Sequence, residues 1–158
     1  MFKKILVPLD GSEIAAKILP QVSELAKTFK AKATLFHVCY SGVGAIGEAS
    51  PGAIRAAEAE EAKWCETFLA KAGQNLKKQG VTTDWTCRDG VPAREIIAFA
   101  RDQKYDLIAL GTHGAGEVVW YMGGVAGKVS SHATVPVLLF RTLEIKPPGL
   151  KEEYFVPA

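Results

Sequence analysis

The chain has 158 residues, of which 48% are apolar and 23% charged, and its formal net charge is +2. That length suits one domain with its own core and excludes two ordinary ones. The charges are interspersed, so there is no basic stripe for nucleic acid, and no apolar run reaches the length of a membrane span.

Met1-Phe2-Lys3-Lys4 leads into a short apolar run closed by Pro8 and Asp10, which is not the pattern of a signal peptide. In "KKILVPLDGS", Ile5, Leu6 and Val7 suit a strand buried on both faces. The Ser12 hydroxyl can cap the helix that follows, in which Ile14, Ile18, Val22, Leu25 and Phe29 recur at helical spacing. Pro20 lies inside this helix and predicts a kink or local break. "KATLFHVCY" reads as the second strand, and "SGVGAIGEASPG" is too small and flexible to be core.

A long helix is expected from Ala53 to Gln79, with Cys65, Phe68, Leu69, Ala72 and Leu76 on its inner side. Glu58, Glu60, Glu61, Lys63 and Lys71 are expected in solvent, and Gly80 can end the helix as a left-handed cap. The mixed charges make it a sheet-covering helix rather than a membrane-surface one. "VTTDWTC" alternates, with Val81, Thr83, Trp85 and Cys87 on one face of a third strand. "DGVPAREIIAFARDQ" is a helix opened by Pro92. "YDLIALG" and "VPVLLFR" are the fourth and fifth strands, separated by a glycine-rich turn and a helix running through His132. Strict alternation of strand and helix argues for a parallel sheet with helices on both faces. Ligands of such sheets sit outside the carboxyl ends of the strands, where the winding reverses. That places "PLDGS", "VCYSG" and "GTHGAG" at one candidate site.

Cys39, Cys65 and Cys87 are far apart and odd in number, which predicts reduced thiols, each packed as a small buried hydrophobe. Trp64, Trp85 and Trp120 read as packing residues. In the tail "TLEIKPPGLKEEYFVPA", Pro147-Pro148-Gly149 breaks any regular element, and Tyr154 and Phe155 either pack back or belong to a loose end.

The stretch "GTHGAGEVVWYMGGVAGKV" could hold a phosphate, because a glycine-rich turn opening a helix presents unpaired N–H groups and the positive end of the helix dipole. It matches neither standard template. A Walker loop needs four residues before its Gly-Lys pair; only three separate Gly123 from Gly127-Lys128, Met122 holds the required position, and Val129 replaces the metal-binding hydroxyl. The dinucleotide fingerprint follows a first strand rather than a fourth, and its third Gly is missing after Gly114-Ala115-Gly116. Judged by those templates alone, the stretch is an unrelated tight turn. Asp10 admits two readings: a carboxylate facing a ligand, or a local turn bonded to the backbone near Gly11 and Ser12. His37, His113 and His132 have no partner at metal-ligand spacing, so no metal site is expected. No nucleophile elbow or carboxylate pair accompanies His113, so catalysis is not indicated.

Four segments in order, "KKILVPLDGSE", "LFHV", "DGVPAREII" and "DLIALGTHGAG…GGVAGKVSSHATVPVLLFR", closely resemble the universal stress protein family. The similarity covers residues 2 to 141, which divides the chain into a domain at 1–141 and a tail at 142–158. The resemblance implies a Rossmann-like α/β fold, a doubly wound sheet of five parallel strands in the order 3-2-1-4-5. It also implies a cytoplasmic homodimer formed through the last strand, Val135 to Phe140, with protein partners unspecified. Some members bind ATP and others do not. In binders, positions matching Asp10 and its neighbours Pro8 and Leu9 lie by the adenosine, and the backbone matching Val38 meets the adenine edge. Gly111, Thr112, His113 and Gly114 match the start of the phosphate turn.

The family pattern is Gly, two residues, Gly, nine residues, Gly, then Ser or Thr. Here its first half stands and its second half departs. Nine residues lead to Gly124 followed by Val125; eight lead to Gly123 followed by Gly124, a one-residue deletion that keeps "GGVAGKVSSHA" in register. Either way a phosphate-binding hydroxyl is lost, a bond to a charged group that contributes about 1.5–3 kcal/mol. Ala115 stands where the family often has Arg, and the acidic Glu117 follows. The resemblance therefore implies a stress-response regulatory protein with weak or selective binding of adenine nucleotides, ATP or AMP with Mg2+ as candidates, and at most weak ATPase activity. The alternative is a dimeric protein-interaction module without nucleotide, using the tail and "VVWYM" as surfaces.

Overall fold

The computed structural model describes residues 1–39, 50–116 and 122–143. Glu117, Trp120, most of "VVWYM", nearly all of the loop after the second strand and the tail from residue 144, with Tyr154 and Phe155, lie outside the described residues.

Five strands form one parallel sheet: β1 (Lys4–Pro8), β2 (Lys32–Cys39), β3 (Thr83–Asp89), β4 (Leu107–Gly111) and β5 (Val137–Phe140). Their order across the sheet is β3-β2-β1-β4-β5, as the resemblance implied. Strand β5 is shorter than the expected segment and starts after Pro136, which has no N–H to give a ladder.

The first helical segment is broken as Pro20 requires. A single turn, α1 (Glu13–Ala16), precedes α2 (Leu19–Phe29), and the proline sits in the first turn of α2, where its missing N–H costs no bond. Ser12 caps α1 by accepting the Ala15 N–H at 3.0 Å. Helix α3 (Pro51–Lys78) is capped by Ser50 and followed by Gly80 at φ +85°. Helices α4 (Pro92–Asp102) and α5 (Gly124–His132) complete the chain's helices among the described residues.

Successive strand residues point to opposite faces, so β1 serves two cores. Ile5 and Val7 join Leu35 and Ala109 beneath α2 and α3, with Val22, Leu69 and Leu76 packed on them. Leu6 faces the other way, with Phe36, Ile108 and Leu110 against Ile96 and Val129 of α4 and α5. The helices therefore cover both faces. None of them is long and apolar enough to cross a membrane.

One expectation is overturned. Cys65 and Cys87 form a disulfide between α3 and β3, so they are not separate reduced thiols; only Cys39 is free, and it is buried. Their 22-residue separation hides the pairing from spacing arguments, since α3 must first fold back over the sheet to bring Cys65 above β3. Burial pushes the Cys39 thiol up from its ordinary value, with the negative charges of Glu61 and Asp89 adding to the effect.

Candidate functional site

The winding reverses between β1 and β4. Their register holds for Ile5↔Leu107 and Leu6↔Ile108. Beyond those pairs a crevice of about 420 Å³ opens at the carboxyl ends of the strands, where sheets of this class take ligands. Its volume falls within the usual range for a small-molecule pocket.

All eleven residues singled out from the sequence line this crevice. Pro8, Leu9 and Asp10 come from the end of β1 and Val38 from β2. Gly111, Thr112, His113 and Gly114 form the turn after β4, and Gly123, Gly124 and Val125 open α5. The sequence reading missed an apolar floor made by Phe36, Ile96 and Leu110. Each lies within an expected strand or helix, and periodicity marks such an apolar position without marking where the core ends.

Val38 meets the crevice through its backbone. Phe36 O accepts the Leu9 N–H at 2.8 Å, so the amide of Phe36 is directed toward β1. Amides two residues apart on a strand point the same way. The N–H and C=O of Val38 therefore face the side of β1 just past its last paired residue, Pro8. That leaves a donor and an acceptor side by side at the mouth.

Asp10 combines both roles left open by the sequence. Oδ1 accepts the Ser12 N–H at 2.9 Å and the Ser12 hydroxyl at 2.6 Å, closing the local turn. Oδ2 accepts the Ala115 N–H at 2.6 Å and so ties the first loop to the glycine turn. Partial burial, the largest single influence, raises its pKa; the hydrogen bonds from Ser12 and Ala115 outweigh it and leave the carboxyl below its ordinary value. A Cβ on Gly114 would run into Asp10 Oδ2, so glycine is needed there for close approach. On the opposite side, Trp64 of α3 covers Gly11, which adopts φ +85°.

Thr142, placed in the tail by the sequence reading, is buried and holds the glycine turn from below. Its hydroxyl donates to His113 O at 3.2 Å and accepts the His113 N–H at 3.1 Å, and its own N–H bonds Thr112 Oγ1 at 3.3 Å. Nothing in its neighbourhood signals this role, since the contact depends on β5 pairing beside β4.

Gly123 caps α5 and donates its N–H to Thr112 O at 2.9 Å. The first helical bond runs from Gly127 N to Gly123 O, so the N–H groups of Gly124, Val125 and Ala126 form the free first turn of α5 at the crevice. These groups and the helix dipole favour an anion. Neither Gly124 nor Val125 supplies a hydroxyl to join them.

Residues 1–141 match the universal stress protein family. Universal stress protein MJ0531 of Methanocaldococcus jannaschii is 33% identical over 144 residues, covering 89% of this chain and 83% of its own length. Universal stress protein YxiE of Bacillus subtilis is 31% identical over 151 residues, covering 89% of this chain and all of its own. Among solved structures, that of MJ0577 superposes with a TM-score of 0.79 at 24% identity, over 89% of this chain and 96% of its own. An Arabidopsis thaliana family member with AMP bound (TM-score 0.66, 18% identity, 88% and 91% coverage) and a universal stress protein in complex with cAMP (0.66, 18%, 90% and 98%) share the fold. By its sequence, over nearly the whole described domain, the chain belongs to the universal stress protein family.

Proposed function

We propose that the crevice receives an adenine nucleotide and prefers fewer phosphates than ATP carries. The observation that carries this reading is the convergence of three features on one volume: the outward amide of Val38, the carboxylate of Asp10, and the free first turn of α5. The apolar floor suits the faces of a purine, and Val38 offers a donor and an acceptor to its edge. Asp10 already accepts three hydrogen bonds, which leaves its remaining lone pair for a ribose hydroxyl. The phosphates would lie between Gly111–Gly114 and α5. Family relatives with AMP and cAMP bound support the ligand class.

The missing hydroxyl after Gly123 or Gly124 lowers the gain from added phosphates. Mg2+ would arrive with the nucleotide and keep phosphate and water ligands, since Asp10 is the sole carboxylate among the described lining residues. The same reading takes the protein as a cytoplasmic homodimer. Strand β5 ends the sheet with an unpaired edge among the described residues, and such an edge is a ready pairing surface.

Calorimetric titration of the full chain with AMP, ADP and ATP, with and without Mg2+, tests the proposal. AMP is expected to bind as tightly as ATP or more tightly. ATP binding far tighter than AMP would overturn the phosphate argument. Absence of binding by all three would leave the interaction-module reading.

A further inference from the structure

Away from the glycine turn, the chain gathers its sulfur ligands at one place. A ring nitrogen of His37 and the Sγ atoms of Cys39 and Cys65 all lie within 4.8 Å of one another, and all three residues are buried. Cys87 belongs to the same group, because its sulfur is bonded to that of Cys65. The backbone explains the convergence. His37 and Cys39 are two apart on β2 and share a face. Cys87 is the registered neighbour of His37 on β3, so its side chain lies on that face too. Cys65 comes down onto it from α3.

The histidine is also oriented. Its Nδ1 lies 2.8 Å from Leu9 O, a group that can only accept, so Nδ1 carries the proton and Nε2 keeps its lone pair. A ring N–H given to a backbone carbonyl is the usual support of a metal-binding histidine. The Trp64 ring meets His37 edge-on, with ring centroids 5.7 Å apart.

We propose that reduction of the Cys65–Cys87 disulfide turns this cluster into a closed zinc site with Cys39, Cys65, Cys87 and His37 as its four ligands. Three thiolates and one imidazole form a standard structural set for Zn2+, whose tetrahedral geometry needs sulfurs about 3.8 Å apart. Cys39 and Cys65 need shift little to reach that spacing, and Cys65 and Cys87 move apart once their bond is broken. Reduction yields two thiols: a thiol reductant gives two electrons and two protons and becomes a disulfide, whereas a phosphine gives two electrons and becomes its oxide, with water supplying the oxygen and both protons. Binding Zn2+ then releases the three thiol protons. The oxidised chain offers only Cys39 and His37, too few to hold the ion. The site is separate from the nucleotide reading, although His37 and Leu9 also line the crevice.

The test uses the full chain reduced by a phosphine under nitrogen, with far-ultraviolet circular dichroism to verify that the fold persists. Titration with Co2+ is expected to give one equivalent of uptake, with a sulfur-to-cobalt charge-transfer band and intense visible bands of a tetrahedral thiolate site, all abolished by Zn2+. The oxidised chain is expected to give none of these. Cys39→Ser and His37→Asn should each weaken Co2+ binding by more than the roughly 10–100-fold that loss of a supporting partner costs. X-ray absorption on the zinc-loaded unmodified chain should show three sulfurs and one nitrogen, which decides the matter even if a variant does not fold. Absence of stoichiometric uptake by the folded reduced chain, uptake unchanged in Cys39→Ser, or a four-sulfur shell shared between two chains would overturn the proposal.

Discussion

The carboxylate of Asp10 and the amide of Ala115, 105 residues apart in the chain, meet at 2.6 Å. This bond crosses the gap between β1 and β4 and holds the mouth of the crevice at a set width. Asp10→Ala should remove it together with the two bonds to Ser12. Allowing for solvent screening at this accessible carboxylate, the expected loss is about 1 kcal/mol of stability. Urea denaturation measures it, and AMP binding should weaken in the same variant.

The acid limb of stability should carry the mark of Asp10 and Asp106. In Asp10 partial burial is outweighed by hydrogen bonds; in Asp106 the N–H groups of Lys3 and Lys4 lower the pKa, so both carboxyls lie below the ordinary 3.8 when folded. As pH falls, the unfolded chain takes up protons first. The stability they contribute is complete above about pH 5 and is lost as pH drops through their folded-state values. Denaturation midpoints followed downward from pH 6 should fall less steeply in Asp10→Asn and in Asp106→Asn than in the parent chain.

Gly114→Ala sets a methyl group against Asp10 Oδ2. Either the turn or the carboxylate must shift, and the bond to Ala115 goes with it. A loss of about 1–3 kcal/mol is expected. Gly116→Ala is the control, since a Cβ there meets nothing within 4 Å; its denaturation curve should match the parent's.

A hydroxyl can be restored at the start of α5. A Cβ on Gly124 meets no atom within 4 Å, so Gly124→Ser fits without displacement. The new donor would stand in the free first turn of the helix. ATP affinity is expected to rise by about 10–100-fold, the equivalent of one hydrogen bond to a charged group. AMP affinity should rise less, and paired calorimetric titrations distinguish the two.

Breaking the disulfide should cost stability in metal-free buffer. Closing a loop across a separation of 22 residues constrains the unfolded chain by about 3 kcal/mol. Cys87→Ser, or reduction with a chelator present, should lower stability by up to that amount. Equal denaturation midpoints with and without reductant would contradict the cross-link's role.

Much of the fold could be read from local pattern. Apolar segments and, for β3, alternation marked the five strands, and Pro20 marked the break between α1 and α2. Periodicity assigns each strand residue to a face but says nothing about which strand lies beside which, so the order came from resemblance to a family. The loops ending β1, β2 and β4 were legible from their position in an alternating α/β chain, whereas the parts given to Val38, Gly123, Gly124 and Val125 came from resemblance to the family. Contacts made only after strands pair and α3 folds over them were not legible. Thr142 beneath His113, Cys65 bonded to Cys87, and Cys65 beside His37 and Cys39 all depend on that later step.

Thr142 has one more consequence. It stands two residues beyond the end of β5, so the chain leaving the outermost strand carries the hydroxyl that props up His113. Whatever docks along that outer edge and whatever occupies the cleft would load the same short length of backbone from opposite sides. Thermodynamic linkage then requires reciprocity: if assembly tightens ligand capture, ligand must strengthen assembly by an equal factor.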